Sequence, residues 1–228
     1  MAANKHLGRP MVSWGTERLE ARLAVLAVHG RGQTPSFMQQ QSHRIGSEGI
    51  RYYAPHASAD SWYPRPFMDP IERNQPDLAQ ALEAIHTGIG RIEDDGFIQK
   101  DIVLWGFSQG ACLLSHFIMT SPAPIAGLLL FTGGYIGHEP VEPQQGRPLH
   151  GVPALVRSIE HDPWVPPGRV QDTAAILTSM GADVDLRISP GTEHIITDEA
   201  MTAATRLLKR APEQAAHPDK TARIPIRP

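Results

Sequence analysis

The sequence predicts one α/β domain: a mainly parallel central sheet with helices on both faces and no large lid. Three observations carry that prediction. Apolar runs of strand length alternate with stretches of helix length from residue 22 to residue 210, and repeated β-then-α order implies parallel strands joined by crossover helices. One Gly-x-Ser-x-Gly turn joins a strand directly to a helix. A chain of 228 residues, 41% of them hydrophobic, can build one full core.

The elements follow in order. Strands are expected at 22–28, 50–54, 101–105, 127–131, 153–159 and 184–188, and helices at 35–46, 76–95, 108–120, 168–180 and 197–210. Asn74-Gln75-Pro76-Asp77 starts the second helix with proline in its first turn. Thr197 or Asp198 could cap the last helix. Residues 1–18 read as a peripheral segment, 19–210 as the domain, and 211–228, polar and proline-bearing, as a loose tail. There is no internal repeat and no second domain.

Gly106-Phe107-Ser108-Gln109-Gly110 follows the apolar Ile102-Val103-Leu104-Trp105 and precedes Ala111 to Met119, which contains no proline or glycine. In this setting the pentapeptide reads as a nucleophile elbow. The serine takes a strained backbone, and glycines two residues away on each side let neighbouring chain pass. A serine hydroxyl needs a base, a group that orients the base, and donors for the oxyanion. The usual chain order after such an elbow is serine, acid, histidine. Glu160-His161-Asp162-Pro163 follows one expected strand, and Ser189-Pro190-Gly191-Thr192-Glu193-His194 follows the next. Both lie at the carboxyl edge of the sheet, where open α/β sheets bind ligands. Ser108 is therefore assigned as nucleophile, His194 as base and Asp162 as its orienter. Glu160 and Glu193 compete for the acid role, with Glu160 the second choice.

His29-Gly30-Arg31-Gly32 directly follows the first strand. The second oxyanion donor comes from such an early loop, the first being the amide after the nucleophile. The backbone amides of Arg31 and Gln109 are expected to form the oxyanion hole, and His29 to brace its glycine loop. A phosphate loop is excluded, since no Lys-Ser/Thr pair follows and the glycines do not fit a dinucleotide fingerprint.

Val28-His29-Gly30-Arg31-Gly32, Gly106-Phe107-Ser108-Gln109-Gly110-Ala111, Asp162-Pro163-Trp164-Val165-Pro166 and Gly191-Thr192-Glu193-His194 resemble four blocks of the phospholipase/carboxylesterase family. That family of small α/β-hydrolases includes acyl-protein thioesterases and bacterial carboxylesterases. Ser61 to Met68 resembles its segment beside the acyl pocket. The resemblance implies a serine carboxylesterase that cleaves esters or thioesters through a Ser-His-Asp catalytic triad and an acyl-enzyme, without a cofactor. An acyl-protein thioesterase or lysophospholipase is the neighbouring alternative. A non-catalytic ligand-binding homologue is the alternative of another class, although such proteins usually lose a triad member and this chain has lost none. Two positions depart from the family's habit. Arg31 stands where a hydrophobic residue is frequent; its guanidinium could favour an anionic group but is expected to face solvent. Trp164 stands where a small or polar residue or a histidine is familiar, and could narrow the site or pack over the Asp162 loop.

Two loops should set specificity. His56 to Pro70 carries Trp62, Tyr63, Phe67 and Met68 among prolines, which suits an apolar acyl site. Trp62, Phe67 and Trp164 are expected to bind substrate. Thr132 to Gly151, with Tyr135, Ile136 and His138, could form a wall or flap. Without a lid domain the pocket should be open, favouring small to medium esters.

The net charge of −3 gives no reason to expect nucleic acid or an anionic membrane surface. The single cysteine, Cys112, excludes an internal disulfide and suits a reducing compartment. No run approaches the roughly 18 apolar residues of a span, and residues 1–15 lack a signal-peptide core. The expected setting is cytoplasmic, with a small-molecule substrate and no stable membrane insertion. An exposed apolar patch could make a homodimer; periodicity does not locate one. The 11 histidines are scattered without a two-ligand helical motif, so no metal is expected.

Overall fold

The computed structural model describes residues 3–46, 48–142 and 146–215. Its centre is β2 (Leu23–Val28), whose six residues are all buried, as befits a strand covered on both faces. The two-residue period divides them. Ala24, Leu26 and Val28 join one core, and Leu23, Val25 and Ala27 join the other. The first core packs against α2 (Asp77–Asp94), α3 (Gln109–Thr120) and α4 (Pro167–Ser179), while the second packs against α1 (Pro35–Ser42) and α5 (Asp198–Ala215). Apolar side chains in such a sandwich each contribute about 1.5–3 kcal/mol by leaving water.

The other strands are β1 (Val12–Gly15), β3 (Ile50–Ala54), β4 (Ile102–Phe107), β5 (Gly127–Phe131), β6 (Pro153–Ile159) and β7 (Asp183–Ser189). They form one sheet in the order β1-β3-β2-β4-β5-β6-β7. All neighbours are parallel except β1 with β3. The expected single α/β domain is therefore present, with its six expected strands and five expected helices near their expected positions. From β2 the chain goes outward to β3, then returns to β4 on the other side. The sheet order thus reverses between β2 and β4, the place where open α/β sheets form a crevice. There Val28 lies opposite Gly106, so the loop after β2 and the turn after β4 leave the sheet side by side.

Most boundaries shift by a residue or two, and three differences are larger. β1 lies within the segment read as peripheral; four residues are too few to show periodicity. It is fixed by Trp14, whose ring stacks on Tyr52 at 5.4 Å and whose indole N–H donates to Ser42 Oγ at 2.8 Å. Helix α1 ends at Ser42, not 46, and the chain leaves through Gly46 at φ 98°. Helix α5 continues to Ala215, past the expected end at 210; the rest of the tail, 216–228, lies outside the described residues. Edge strand β7 carries Asp183, Asp185 and Arg187, charges that discourage pairing with another chain. Among the described residues no helix is long and apolar enough to cross a membrane.

Candidate active site

Strand β4 delivers Ser108 to the carboxyl edge. The serine has φ 53° and ψ −122° and stands directly before α3, a conformation that costs of order 1–3 kcal/mol for a residue with a side chain. Its neighbours hold it there: the Ser108 amide donates to the Phe131 carbonyl at 2.9 Å. The spacing of the glycines has a direct steric cause. A Cβ on Gly106 would lie 2.6 Å from Ala111 Cα, and one on Gly110 would lie 2.1 Å from the Val28 carbonyl oxygen.

The acid and the histidine arrive on the ends of β6 and β7. Pairing continues beyond the strands, with the Glu160 amide on Ser189 O at 2.9 Å and the His161 amide on Gly191 O at 3.0 Å. Below them Arg157, 6% exposed, brackets β6, β7 and α5 through Glu199 at 2.9 Å and Asp185 at 2.9 Å. The His194 loop spans β7 and α5, so this bracket secures both of its ends. Thr197 caps α5, accepting from the Ala200 amide at 3.1 Å.

The structure brings Ser108, His194 and Asp162 into one chain of contacts. His194 Nε2 lies 2.8 Å from Ser108 Oγ, and His194 Nδ1 lies 2.7 Å from Asp162 Oδ2. The carboxylate can only accept from Nδ1–H, which leaves Nε2 as the acceptor for the serine O–H. The other oxygen, Asp162 Oδ1, accepts the amides of Trp164 at 2.8 Å and Val165 at 3.0 Å. Burial by itself would raise the Asp162 carboxyl. The hydrogen bond from His194, the Trp164 amide, the facing imidazole and the Val165 amide outweigh it and hold the group below its ordinary pKa. Glu160 and Glu193 are exposed, and the acid on the imidazole is Asp162.

The glycine loop after β2 abuts the serine, since a Cβ on Gly30 would lie 3.0 Å from Ser108 Cβ. Among the described residues neither the Arg31 amide nor the Gln109 amide donates in the backbone hydrogen bonds of turns, loops and caps. Beneath them His29, fully buried, donates from Nδ1 to Gly30 O at 2.8 Å and accepts the Ala57 amide on Nε2 at 3.2 Å. The imidazole is committed on both nitrogens.

Two expectations need correction. Trp62 has no exposed surface; it packs between His6 and His29 at 5.4 and 5.1 Å and donates its indole N–H to His29 O at 2.9 Å. It braces the glycine loop and cannot line an acyl pocket. Arg31 is exposed, as expected, yet its head group is tied to backbone. Its guanidinium donates to the carbonyls of Pro64 and Arg65, both at 2.9 Å. Tyr135 and Ile136 are buried in the core, so that part of the second loop is no flap. Phe67 is half-buried and lies 5.9 Å below the Arg169 guanidinium, whereas Trp164 is 72% exposed on the Asp162 loop. Cys112 is buried, and burial pushes its thiol up to about 12. Among the described residues no three His, Cys, Asp or Glu side chains are grouped to hold a metal.

The buried imidazoles give the fold a defined acid sensitivity. Burial lowers His29 and His6 each to about 4. Between that value and the unfolded histidine value of about 6.5, the unfolded chain binds protons that the native state refuses, so stability falls as pH falls. Asp162 acts at lower pH: with its folded pKa depressed, its contribution is lost only below the ordinary carboxylate range. Urea unfolding should therefore show a loss between pH 6.5 and 4, with His29 responsible for up to about 3 kcal/mol. His29→Gln should reduce that slope; an identical slope in both proteins would assign the loss to other groups.

The phospholipase/carboxylesterase family model matches residues 15–211. The chain is 23% identical to acyl-protein thioesterase 1 of Gibberella zeae over 211 residues, 82% of this chain and 89% of that protein. It also resembles the crystal structure of a phospholipase/carboxylesterase from Dyadobacter fermentans, with a TM-score of 0.80 and 31% identity over 87% of this chain and 95% of the other. The Bacillus cereus carboxylesterase shares the fold, with a TM-score of 0.72 at 16% identity over 88% of this chain and 93% of the other.

Proposed function

Because the chain belongs to the phospholipase/carboxylesterase family, a family of ester hydrolases, we propose that it is a serine carboxylesterase acting on small to medium acyl esters. The observation that carries the reading is the unbroken contact chain from Asp162 through His194 to Ser108, at 2.7 and 2.8 Å. His194 Nε2 takes the proton of Ser108 as Oγ attacks the acyl carbon. The Arg31 and Gln109 amides receive the oxyanion of the tetrahedral intermediate. Collapse expels the alcohol, which takes a proton from His194, and leaves the acyl group on Ser108. Water then attacks that acyl group, giving up a proton to His194 Nε2, and the acid departs as Ser108 regains its hydrogen.

Ser108 is only partly covered, and Trp62, which donates to the glycine loop, is committed to the core. These facts favour a surface site over a deep acyl tunnel. Trp164, exposed beside Asp162, and the accessible part of Phe67 supply the apolar surface against which a short acyl group rests. The similarity to an acyl-protein thioesterase supports including an S-acyl substrate in the test.

A series of p-nitrophenyl esters from about two to twelve carbons tests the reading, with an S-acyl substrate of the best chain length alongside. Turnover should peak at short chains. A maximum at the longest chains would overturn the open-site assignment, and a strong preference for the thioester would move the protein to thioesterase.

A further inference from the structure

The two residues whose amides face the oxyanion in the reading above also send their side chains to one short stretch of backbone. The Gln109 carboxamide accepts the Trp62 amide on Oε1 at 3.0 Å and donates from Nε2 to Tyr63 O at 2.8 Å. The Arg31 fork donates to Pro64 O and Arg65 O. The same stretch is tied twice more to the glycine loop, through the Gly32 amide on Asp60 O at 2.7 Å and the Trp62 indole on His29 O at 2.9 Å. Its far end is secured by buried Asn74, which accepts the Arg65 amide at 2.9 Å and donates to Pro66 O at 3.2 Å.

Arg31 has particular need of such a tie. It stands between Gly30 and Gly32, and Gly32 is in the left-handed region at φ 70°. Glycines on both sides leave the Arg31 peptide with wide conformational freedom. An oxyanion donor works only when it is already aimed before charge develops. Gln109 is anchored by α3, whereas Arg31 has no helix or strand to hold it. Its amide can be fixed through its own side chain and through the residues beside it.

We propose that Asp60–Arg65 is a yoke that sets the spacing of the two oxyanion amides, and that the Arg31 guanidinium is the positioning residue that locks the glycine loop to it. This inference rests on the esterase reading. It gives the guanidinium a role in aiming a donor, with no contact to substrate. Lysine is a poor substitute, because a single ammonium cannot reproduce the two-pronged fork on adjacent carbonyls.

The test compares Arg31→Met and Arg31→Lys with the parent protein, all checked by thermal unfolding. In Arg31→Met, kcat for a short p-nitrophenyl ester should fall about 10- to 100-fold, the scale set by a misaimed oxyanion donor. KM should stay within about twofold, since the ground-state ester does not use the strengthened contact. Affinity for a trifluoromethyl ketone, which forms a tetrahedral adduct on the serine, should fall in proportion to kcat. The acid limb of the kcat/KM profile should not move, because the His194–Asp162 pair is untouched. Arg31→Lys should recover part of the loss. Unchanged kcat in folded Arg31→Met would overturn the inference, as would a raised KM at unchanged kcat, which would place the guanidinium on substrate. A shifted acid limb would overturn it by routing the effect through His194. If Arg31→Met does not fold, Arg31→Lys decides by the same readings, with parental kcat and ketone affinity overturning the inference. A parent protein that neither turns over nor is labelled by a fluorophosphonate at Ser108 removes the esterase reading itself and this inference with it.

Discussion

Ser108→Ala is expected to abolish ester turnover, lowering kcat by about 10⁶-fold, the scale reached when the nucleophile of a serine hydrolase is removed. The substitution deletes the one oxygen that lies 2.8 Å from His194 Nε2. No nearby group can take its place. Cys112 sits one turn into α3, but its thiol is buried and held protonated, with a pKa pushed up to about 12. Nucleophilic attack requires the thiolate. Alanine keeps the Cβ that the elbow already accommodates, so the fold should survive. Residual catalysis of about 10³–10⁴ over water can persist from the oxyanion donors and binding. The measurement is kcat on the best p-nitrophenyl ester, with fluorophosphonate labelling in parallel. Labelling should vanish with turnover. Activity within about tenfold of the parent in a folded Ser108→Ala protein would place the nucleophile elsewhere.

The elbow was legible because its chemistry and its sterics share one pattern. Gly106 and Gly110 are required by contacts at 2.6 and 2.1 Å, and the strand and helix around them announce themselves by apolar runs. The order of Ser108, Asp162 and His194 was legible for a similar reason: parallel strands must end at one edge, so loops that follow them converge there. Aromatic residues in the first loop were less readable. Trp62 and Phe67 occupy the same proline-rich segment, yet one is fully buried and the other half-exposed. Trp62 is covered by His6 from the N-terminal segment and by His29 from the glycine loop, both remote in sequence. A local window holds no trace of such a partner.

Polar side chains that grip backbone are harder still. Gln109 reads as the variable position of the elbow and Arg31 as a solvent-facing charge, and neither reading carries a sign of the bonds to the carbonyls and amide of residues 62–65. Arg157 is similar: a charge inside an apolar strand pattern hints at a buried partner, but Glu199 and Asp185 become its partners only through the packing of α5 and β7. Trp164 and Val165 left a clearer signal. Asp162 followed by proline favours a turn in which the side chain accepts amides two and three residues on, and both bonds form.

That turn decides the second large effect. Asp162→Asn should lower kcat by about 10⁴-fold with little change in KM. The asparagine is nearly the same size, so the loss must come from which atoms it can present. Asp162 Oδ1 accepts the Trp164 and Val165 amides. An asparagine in that turn has to keep its carbonyl oxygen there, because an NH₂ group facing two N–H donors would leave all three unsatisfied. Its NH₂ then faces His194 Nδ1. The imidazole can accept that bond only by carrying its proton on Nε2, and Nε2–H cannot take the proton of Ser108. The serine remains a hydroxyl beside a donor. Glu160→Gln and Glu193→Gln provide the comparison, since both carboxylates are exposed and the imidazole faces neither. Both variants should stay within about twofold of the parent, as surface changes away from the reacting groups do. A collapse in Glu160→Gln alone, with Asp162→Asn active, would transfer the acid role to Glu160. A collapse in Asp162→Asn alone would tie turnover to the proton's place on His194, the one property that this substitution changes at nearly constant shape.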